Sequence, residues 1–578
     1  MTWLKTAAVA AAAALSMGAA APAASVADYT VSPVVVDQGV TALDVVVRLR
    51  ADASGFTRLQ LPDESAGTHR MWRFLKDIRV EGADSVAEDG PAVRVVRAAP
   101  GHPLTLRYRV VSAYDREPDG NSFDTYKPTV RPRWFWVYGE ALFIRPDGEG
   151  HRARFTWAGP RSLPFASDLQ HAAGRPMAMS DLSESVLVGG ADLRLYARDA
   201  DGPLRIAVVG AFPFKDEDFA NTATRIVSAE RGFWRGRESP FLVVLARVDP
   251  VSGHRSTRGE GRGDAFAIMT TPDARPEQLQ ATLAHEYFHT WNPRRLGRID
   301  EDDRQRAEYW FSEGFTDFYA WRMLLNSGQY ALPAFVDIWN EMLLAYANSP
   351  ARDAPAARIV EAFWKDRAVE KLPYQRGAIM AARWDRELRD RSGGRTSLDD
   401  VMRAMQVRAK ALGPASPKAP ELFAETARRF GLDVAPEVQA VMNAGGPALL
   451  PANAFGACLP VTTVTLPAFE YGFDIDATYK TGKVTGVRPD SAAYAAGLRD
   501  GMTYMNRQSG RPGDSRQTLV LRVKSDGAEP LISYSPAGKA QITLQQIDMP
   551  KDLTPARRAA CAAEAGGLAP TPAVAASR

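Results

Sequence analysis

The sequence predicts an α+β multidomain protein with a β-sandwich-like N-terminal domain, an α-rich lobe carrying a metal-binding pattern, and a smaller C-terminal module. Three observations predict it. Short alternating apolar segments dominate from Asp28 to about Ala200, helical periodicity dominates from about Phe315 to Asn443, and the linker-like stretch 451–460 precedes a last group of strand-like segments. The chain has 578 residues, 45% hydrophobic and 24% charged, which is ordinary globular composition with room for three or more domains. Its 71 basic and 68 acidic residues leave a formal charge of +3, so nothing in the charge balance calls for nucleic acid or an anionic membrane as partner.

Residues 1–27 carry the pattern of a secretory signal peptide. Lys5 gives a positive start, 7–17 an apolar run, and Ala21-Pro22-Ala23 or Ser25-Val26-Ala27 a small-residue cleavage site. The run is short of the roughly 20 apolar residues that a membrane span needs, and no later stretch reaches that length. The expected location is therefore periplasmic or secreted, with no membrane span after signal removal. The N-terminal β-rich domain is assigned to 28–200, with strands expected at 29–36, 42–49, 93–96, 104–111, 141–144 and 154–157 between Gly, Pro and Asp turns. Trp134, Trp136 and Tyr138 fit core or interdomain packing better than a binding platform.

The second domain is assigned to 201–450. Strand-like 204–209 and 241–245 flank a helix-like 219–233, which predicts a small mixed sheet ahead of the metal pattern, with 265–269 as the strand bordering the cleft. Gly253, Gly259, Gly261 and Gly263 suggest a flexible approach loop before it. Helices are expected at 315–326, 334–347, 377–389, 398–411 and 421–430. The third domain is assigned to 451–550 and is followed by an Ala- and Pro-rich tail, 551–578, expected to be disordered. In an oxidising compartment the two cysteines, Cys458 and Cys561, could tie that tail back by one disulfide.

Chemistry concentrates between His285 and Asp317. His285-Glu286-Tyr287-Phe288-His289 puts two imidazoles one helical turn apart on one face, with Glu286 placed to act as a base. The chain has only seven histidines, so this pattern is rarely met by accident. A catalytic zinc takes three protein ligands, and Glu313, 24 residues beyond His289, supplies the third. Asp317 follows four residues later, suited to accept the other ring N–H of a zinc-bound histidine. One Zn2+ in such a site lowers the pKa of water towards about 7. A hydrogen-bond donor to the developing oxyanion is worth about 3 kcal/mol, and Tyr374 in 372–380 is the candidate.

Two resemblances extend this reading. The order of Tyr471-Gly472-Phe473-Asp474-Ile475, Lys483-Val484-Thr485-Gly486-Val487, Asp490-Ser491-Ala492-Ala493, Ala496-Gly497-Leu498 and Asp500-Gly501-Met502 resembles a PDZ domain, except that Gly501-Met502 stands where Gly-Asp is usual. It implies a Gly-Phe type loop and an adjacent strand that take a peptide C-terminus by strand addition, or a degenerate module that only packs on the catalytic lobe. Residues 285–292, Glu313-Gly314-Phe315-Thr316-Asp317-Phe318-Tyr319, the Tyr374-x-x-Gly377-Ala378 pattern and Thr396-Ser397-Leu398-Asp399-Asp400 together resemble the glycyl aminopeptidase family. These are zinc metallopeptidases with a β-rich N-terminal domain, a thermolysin-like catalytic domain and a C-terminal PDZ domain.

The resemblance implies zinc ligands His285, His289 and Glu313, the base Glu286, Tyr374 as transition-state donor, and peptide or protein substrates that lose a small N-terminal residue, Gly or Ala. It departs at one place. The family's Gly-Gly-Leu-Glu-His type motif is replaced by Arg258-Gly259-Glu260-Gly261-Arg262-Gly263-Asp264-Ala265-Phe266, which leaves Glu260 or Asp264 as the carboxylate for the substrate α-amine. The alternatives are a metallo-endopeptidase, or a peptide-binding protein whose PDZ-like module works while the metal site is idle.

Overall fold

A computed structural model describes residues 25–568, apart from 149, 173, 236–238, 251–255, 275 and 300–302. The expected signal peptide lies outside the described residues as far as 24. Strand Val26–Val36 pairs in parallel with Arg152–Trp157, and Ala27 is buried. Of the two candidate cleavage sites, only Ala21-Pro22-Ala23 leaves that strand whole. No helix among the described residues is long and apolar enough to cross a membrane.

The N-terminal region is a sandwich. A six-stranded sheet built on Val26–Val36, Gly39–Arg50 and Pro103–Val111 faces a four-stranded sheet that contains Phe56–Gln60 and Val93–Arg97. Alternate residues meet between them, Tyr29, Val31, Val45 and Val47 from one side and Leu59 and Val96 from the other. The strand expected at 141–144 is instead a short helix, Gly139–Leu142, followed by extended chain. Ala141, Leu142, Phe143 and Ile144 are all buried, so the run has no polar face to reveal its period.

The next sheet positions the site. Its strands are β1 (Leu193–Asp199), β2 (Pro203–Val209), β3 (Phe241–Arg247), β4 (Thr257–Arg262) and β5 (Ala265–Thr270), in the order β1-β2-β3-β5-β4. β2, β3 and β5 run parallel, while β1 and β4 are antiparallel edges. The sheet is mixed as expected, but β1 belongs to it through a hairpin at Asp201-Gly202, so it begins before the assigned boundary at 200. β3 is buried on both faces, as an inner parallel strand must be. Leu242, Val244 and Ala246 pack with Trp136 and Tyr138 of the preceding β-layer, while Phe241, Val243 and Leu245 face the helices. The tryptophan–tyrosine group is thus interdomain core. The expected glycine-rich loop is the edge strand β4 from residue 257 onward; Gly253 lies outside the described residues.

The helical face carries α1 (Asp216–Trp234), α2 (Pro276–Phe288), α3 (Phe315–Asn326), α4 (Leu332–Asn348) and α5 (Arg367–Ser392). α5 starts ten residues before the expected 377 because it runs through Pro373, with Asp366 capping its first turn by accepting from the Ala368 and Val369 amides. The linker-like 451–460 is not free chain: Phe455, Cys458 and Leu459 are buried in the lobe's core. The tail forms a further helix, α6 (Pro555–Ala565), joined to the lobe by a Cys458–Cys561 disulfide and by Arg322 and Asn326 donating to the Gly566 carbonyl.

The C-terminal module has its own core around Phe473, Val484, Leu498 and Leu521. After the Tyr471-Gly472-Phe473 loop comes the helix Ile475–Thr481, capped by Asp474, where the PDZ resemblance implied a peptide-pairing strand. The Asp474 side chain accepts from the Ala477 amide and so starts a helix. The module docks on α4 through Asn340 to Ile547 and Asn348 to Gly513 and Phe469.

Candidate active site

α2 places His285 in its last turn, and His289 follows directly after the helix ends at Phe288. The third group, Glu313, sits on a π-helical turn, Trp310–Gly314, that runs into α3. His285 Nε2 and His289 Nε2 are 3.1 Å apart, and Glu313 Oε2 lies 3.2 Å from the first and 3.4 Å from the second. Ligand atoms about 2.0–2.1 Å from a tetrahedral zinc stand about 3.3 Å from one another. The triangle therefore has the size and donor set that zinc requires, and it is the one such group found among the described residues.

Both outer ring nitrogens are occupied. His285 Nδ1 meets Asp317 Oδ1 at 2.8 Å, as expected, and His289 Nδ1 meets the Asn292 carbonyl at 2.8 Å. These contacts fix the tautomers that leave Nε2 as the metal-facing lone pair. The field is strongly anionic. Burial works against a charged His285, yet Asp317 and the Glu313 hydrogen bond hold its pKa well above the usual range. Burial also opposes ionisation of Glu313, and the two histidines overcome it, holding the carboxyl well below its usual range.

Two glycines join this cluster to α5. A Cβ on Gly314 would lie 2.3 Å from the Gly377 Cα, and one on Gly377 would lie 2.0 Å from the Trp310 carbonyl oxygen. The backbones touch there, which is what brings Tyr374 over the metal ligands. Its ring lies nearly parallel to that of His285, 6.0 Å between centroids. Burial first, then the Glu313, Asp317 and Glu286 charges, hold its phenol well above the ordinary value, so it remains a donor.

Glu286 is oriented by the edge strand. The Gly261 amide of β4 donates to Glu286 Oε2 at 2.8 Å. Gly259 and Gly261 share the strand face that α2 covers, and a Cβ at either would press on Thr282 and Phe266 or on the Glu286 main chain. The opposite face carries Glu260 and Arg262. Glu260 is 34% exposed, yet walled by protein, and its carboxyl is raised first by loss of bulk water and further by the Glu286 charge, while Arg262 and the Tyr126 hydroxyl oppose this. Arg262 lies over the Tyr138 ring at 4.1 Å and donates to Glu140 Oε1 at 3.0 Å, which ties β4 to the N-terminal layers. Asp264 is not brought to the site. It occupies the β4–β5 turn, where it meets His171 Nε2 at 3.4 Å and the Ser239 hydroxyl.

Sequence reasoning missed Asn292, Arg262 and Glu230. Glu230 is wholly buried on α1 with both carboxylate oxygens unpartnered, and burial pushes its pKa well above normal, a shift that His285 only reduces. The signal was present: Glu230 interrupts the apolar stripe of Phe219, Ala223, Val227 and Trp234.

A metal-sized triad against the edge strand of a mixed sheet, with a glutamate and a tyrosine beside it, defines the class as metallopeptidase. Residues 278–371 match the sequence model of the M61 glycyl aminopeptidase family. The fold resembles the crystal structure of an aminopeptidase N family protein from Idiomarina loihiensis, 15% identical, covering 94% of this chain and 100% of that one, with a TM-score of 0.64. An M1 zinc metallopeptidase from Deinococcus radiodurans, 16% identical, covers 74% of this chain and 94% of its own, with a TM-score of 0.42. No curated protein matches the chain. The chain is a peptidase, and its segment 278–371, which carries the three metal-facing groups, is similar to the M61 glycyl aminopeptidases.

Proposed function

We propose that this chain is an aminopeptidase that holds one zinc ion on His285, His289 and Glu313 and releases a small N-terminal residue, glycine or alanine. The observation that carries the exopeptidase reading is Glu260, a carboxylate on the edge strand β4 directly before Gly261, whose amide holds Glu286. Zinc, when bound, supplies a Lewis acid that activates water near neutral pH and polarises the scissile carbonyl. Glu286, held by the Gly261 amide, accepts the proton of the attacking water and passes it to the leaving amine. Tyr374 donates a hydrogen bond to the oxygen on which negative charge develops. Glu260 pairs with the substrate ammonium, and Arg262 and Tyr126 hold it in place. The preference for Gly and Ala rests on the family resemblance.

The test is turnover of glycyl and alanyl anilides by purified protein, with chelator and after zinc is restored. Hydrolysis of free substrates but not of their N-acetylated forms supports the reading. Equal cleavage of both favours a metallo-endopeptidase. The helix Ile475–Thr481 in place of a pairing strand, and the docking on α4, favour a packing role for the PDZ-like module over capture of peptide C-termini. The disulfide suits a periplasmic or secreted location. N-terminal sequencing of the exported protein, expected to begin just after Ala23, checks both location and processing.

A further inference from the structure

Two short segments carry the metal-facing groups His289 and Glu313, and one side chain joins them. Asn292 is wholly buried, three residues beyond His289. Its main-chain carbonyl accepts from His289 Nδ1 at 2.8 Å. Its side-chain amide donates to the Phe311 carbonyl at 2.9 Å, to Thr316 Oγ1 at 3.1 Å and, more weakly, to the Ser312 carbonyl at 3.3 Å. These acceptors bracket Glu313. The Thr316 hydroxyl in turn donates to the Ser312 carbonyl at 2.6 Å. A π-helical turn displaces backbone pairing by one residue, and here Phe311 and Ser312 take side-chain donors.

We infer that Asn292 is a positioning residue that sets the distance between His289 and Glu313, and thereby the affinity of the site for zinc; the inference rests on the zinc reading above. The same residue fixes the ring of one ligand through its main chain and the turn beneath the other through its side chain. Removing the amide leaves the ligands in the chain but frees the Glu313 turn from the His289 loop. Residues that hold metal ligands in this way govern affinity by about 10–100-fold.

The experiment is zinc affinity by chelator competition, with the melting temperature of the metal-free and zinc-loaded forms, on full-length wild type, Asn292→Ala, Asn292→Asp and Thr316→Val. The expected result is zinc binding weakened about 10–100-fold by both Asn292 variants and a few-fold by Thr316→Val. The melting-temperature gain on adding zinc should shrink accordingly, while KM for a glycyl anilide at saturating zinc stays near wild type. If the Asn292 variants fail to fold, Thr316→Val decides. Affinities within about two-fold of wild type, or an equal loss of melting temperature with and without zinc, overturn the inference. Failure of the wild type itself to bind zinc would instead overturn the functional reading.

Discussion

The two ends of the cleft are built differently. At the metal end, His285, His289 and Glu313 come from 29 consecutive residues; of their outer contacts the Asn292 carbonyl lies within that stretch and Asp317 four residues beyond it. At the other end, where the proposal above puts the substrate amine, Glu260 stands on an edge strand beside Arg262 and Tyr126, with Glu140 and Tyr138 beyond them, so the support comes from the N-terminal layers. Local helix geometry builds the first, and the packing of two domains builds the second. Loss at the metal end should therefore abolish chemistry, whereas loss at the amine end should relax selection of substrates.

Glu286→Gln gives the largest expected effect, a fall in kcat of about 10²–10⁴-fold with zinc content unchanged, read by steady-state kinetics beside metal analysis. Tyr374→Phe should follow at about 10²–10³-fold in kcat with little change in KM. Gly314→Ala probes the backbone contact between them: its Cβ meets the Gly377 Cα, and the overpacking should cost about 1–3 kcal/mol in denaturant unfolding. Glu260→Gln should lower kcat/KM for free glycyl substrates about ten-fold and leave any N-acetylated cleavage unaltered, the contrast that most sharpens the comparison.

The smallest effect belongs to Glu230. Its folded pKa stands well above 4.5, so the folded state keeps a proton that the unfolded chain releases, and stability falls as pH rises from about 4.5 towards the folded value. Glu230→Gln should flatten that slope in urea unfolding curves taken between pH 5 and pH 8, a range of about three units.

The same contrast explains what could be read from the sequence. The i, i+4 histidines, the acid 24 residues on and α3 itself follow from helical periodicity, and the structure brings the three ligand candidates together. Alternation also disclosed the sandwich and the mixed sheet. β4 was hidden because its alternating glycines, which admit α2, look like loop composition. That Glu260 falls in a strand and Asp264 in the turn after it follows from pairing with β5, which is a tertiary fact. The linker-like 451–460 and the tail failed for another reason: burial of Phe455 and the disulfide-held α6 depend on a partner surface that local composition does not describe.

The most direct test of the account is paired hydrolysis of a glycyl anilide and its N-acetylated form by metal-free and zinc-restored enzyme. The account predicts turnover of the free substrate alone, and only with zinc. Turnover without zinc, or none once zinc is restored, would contradict it.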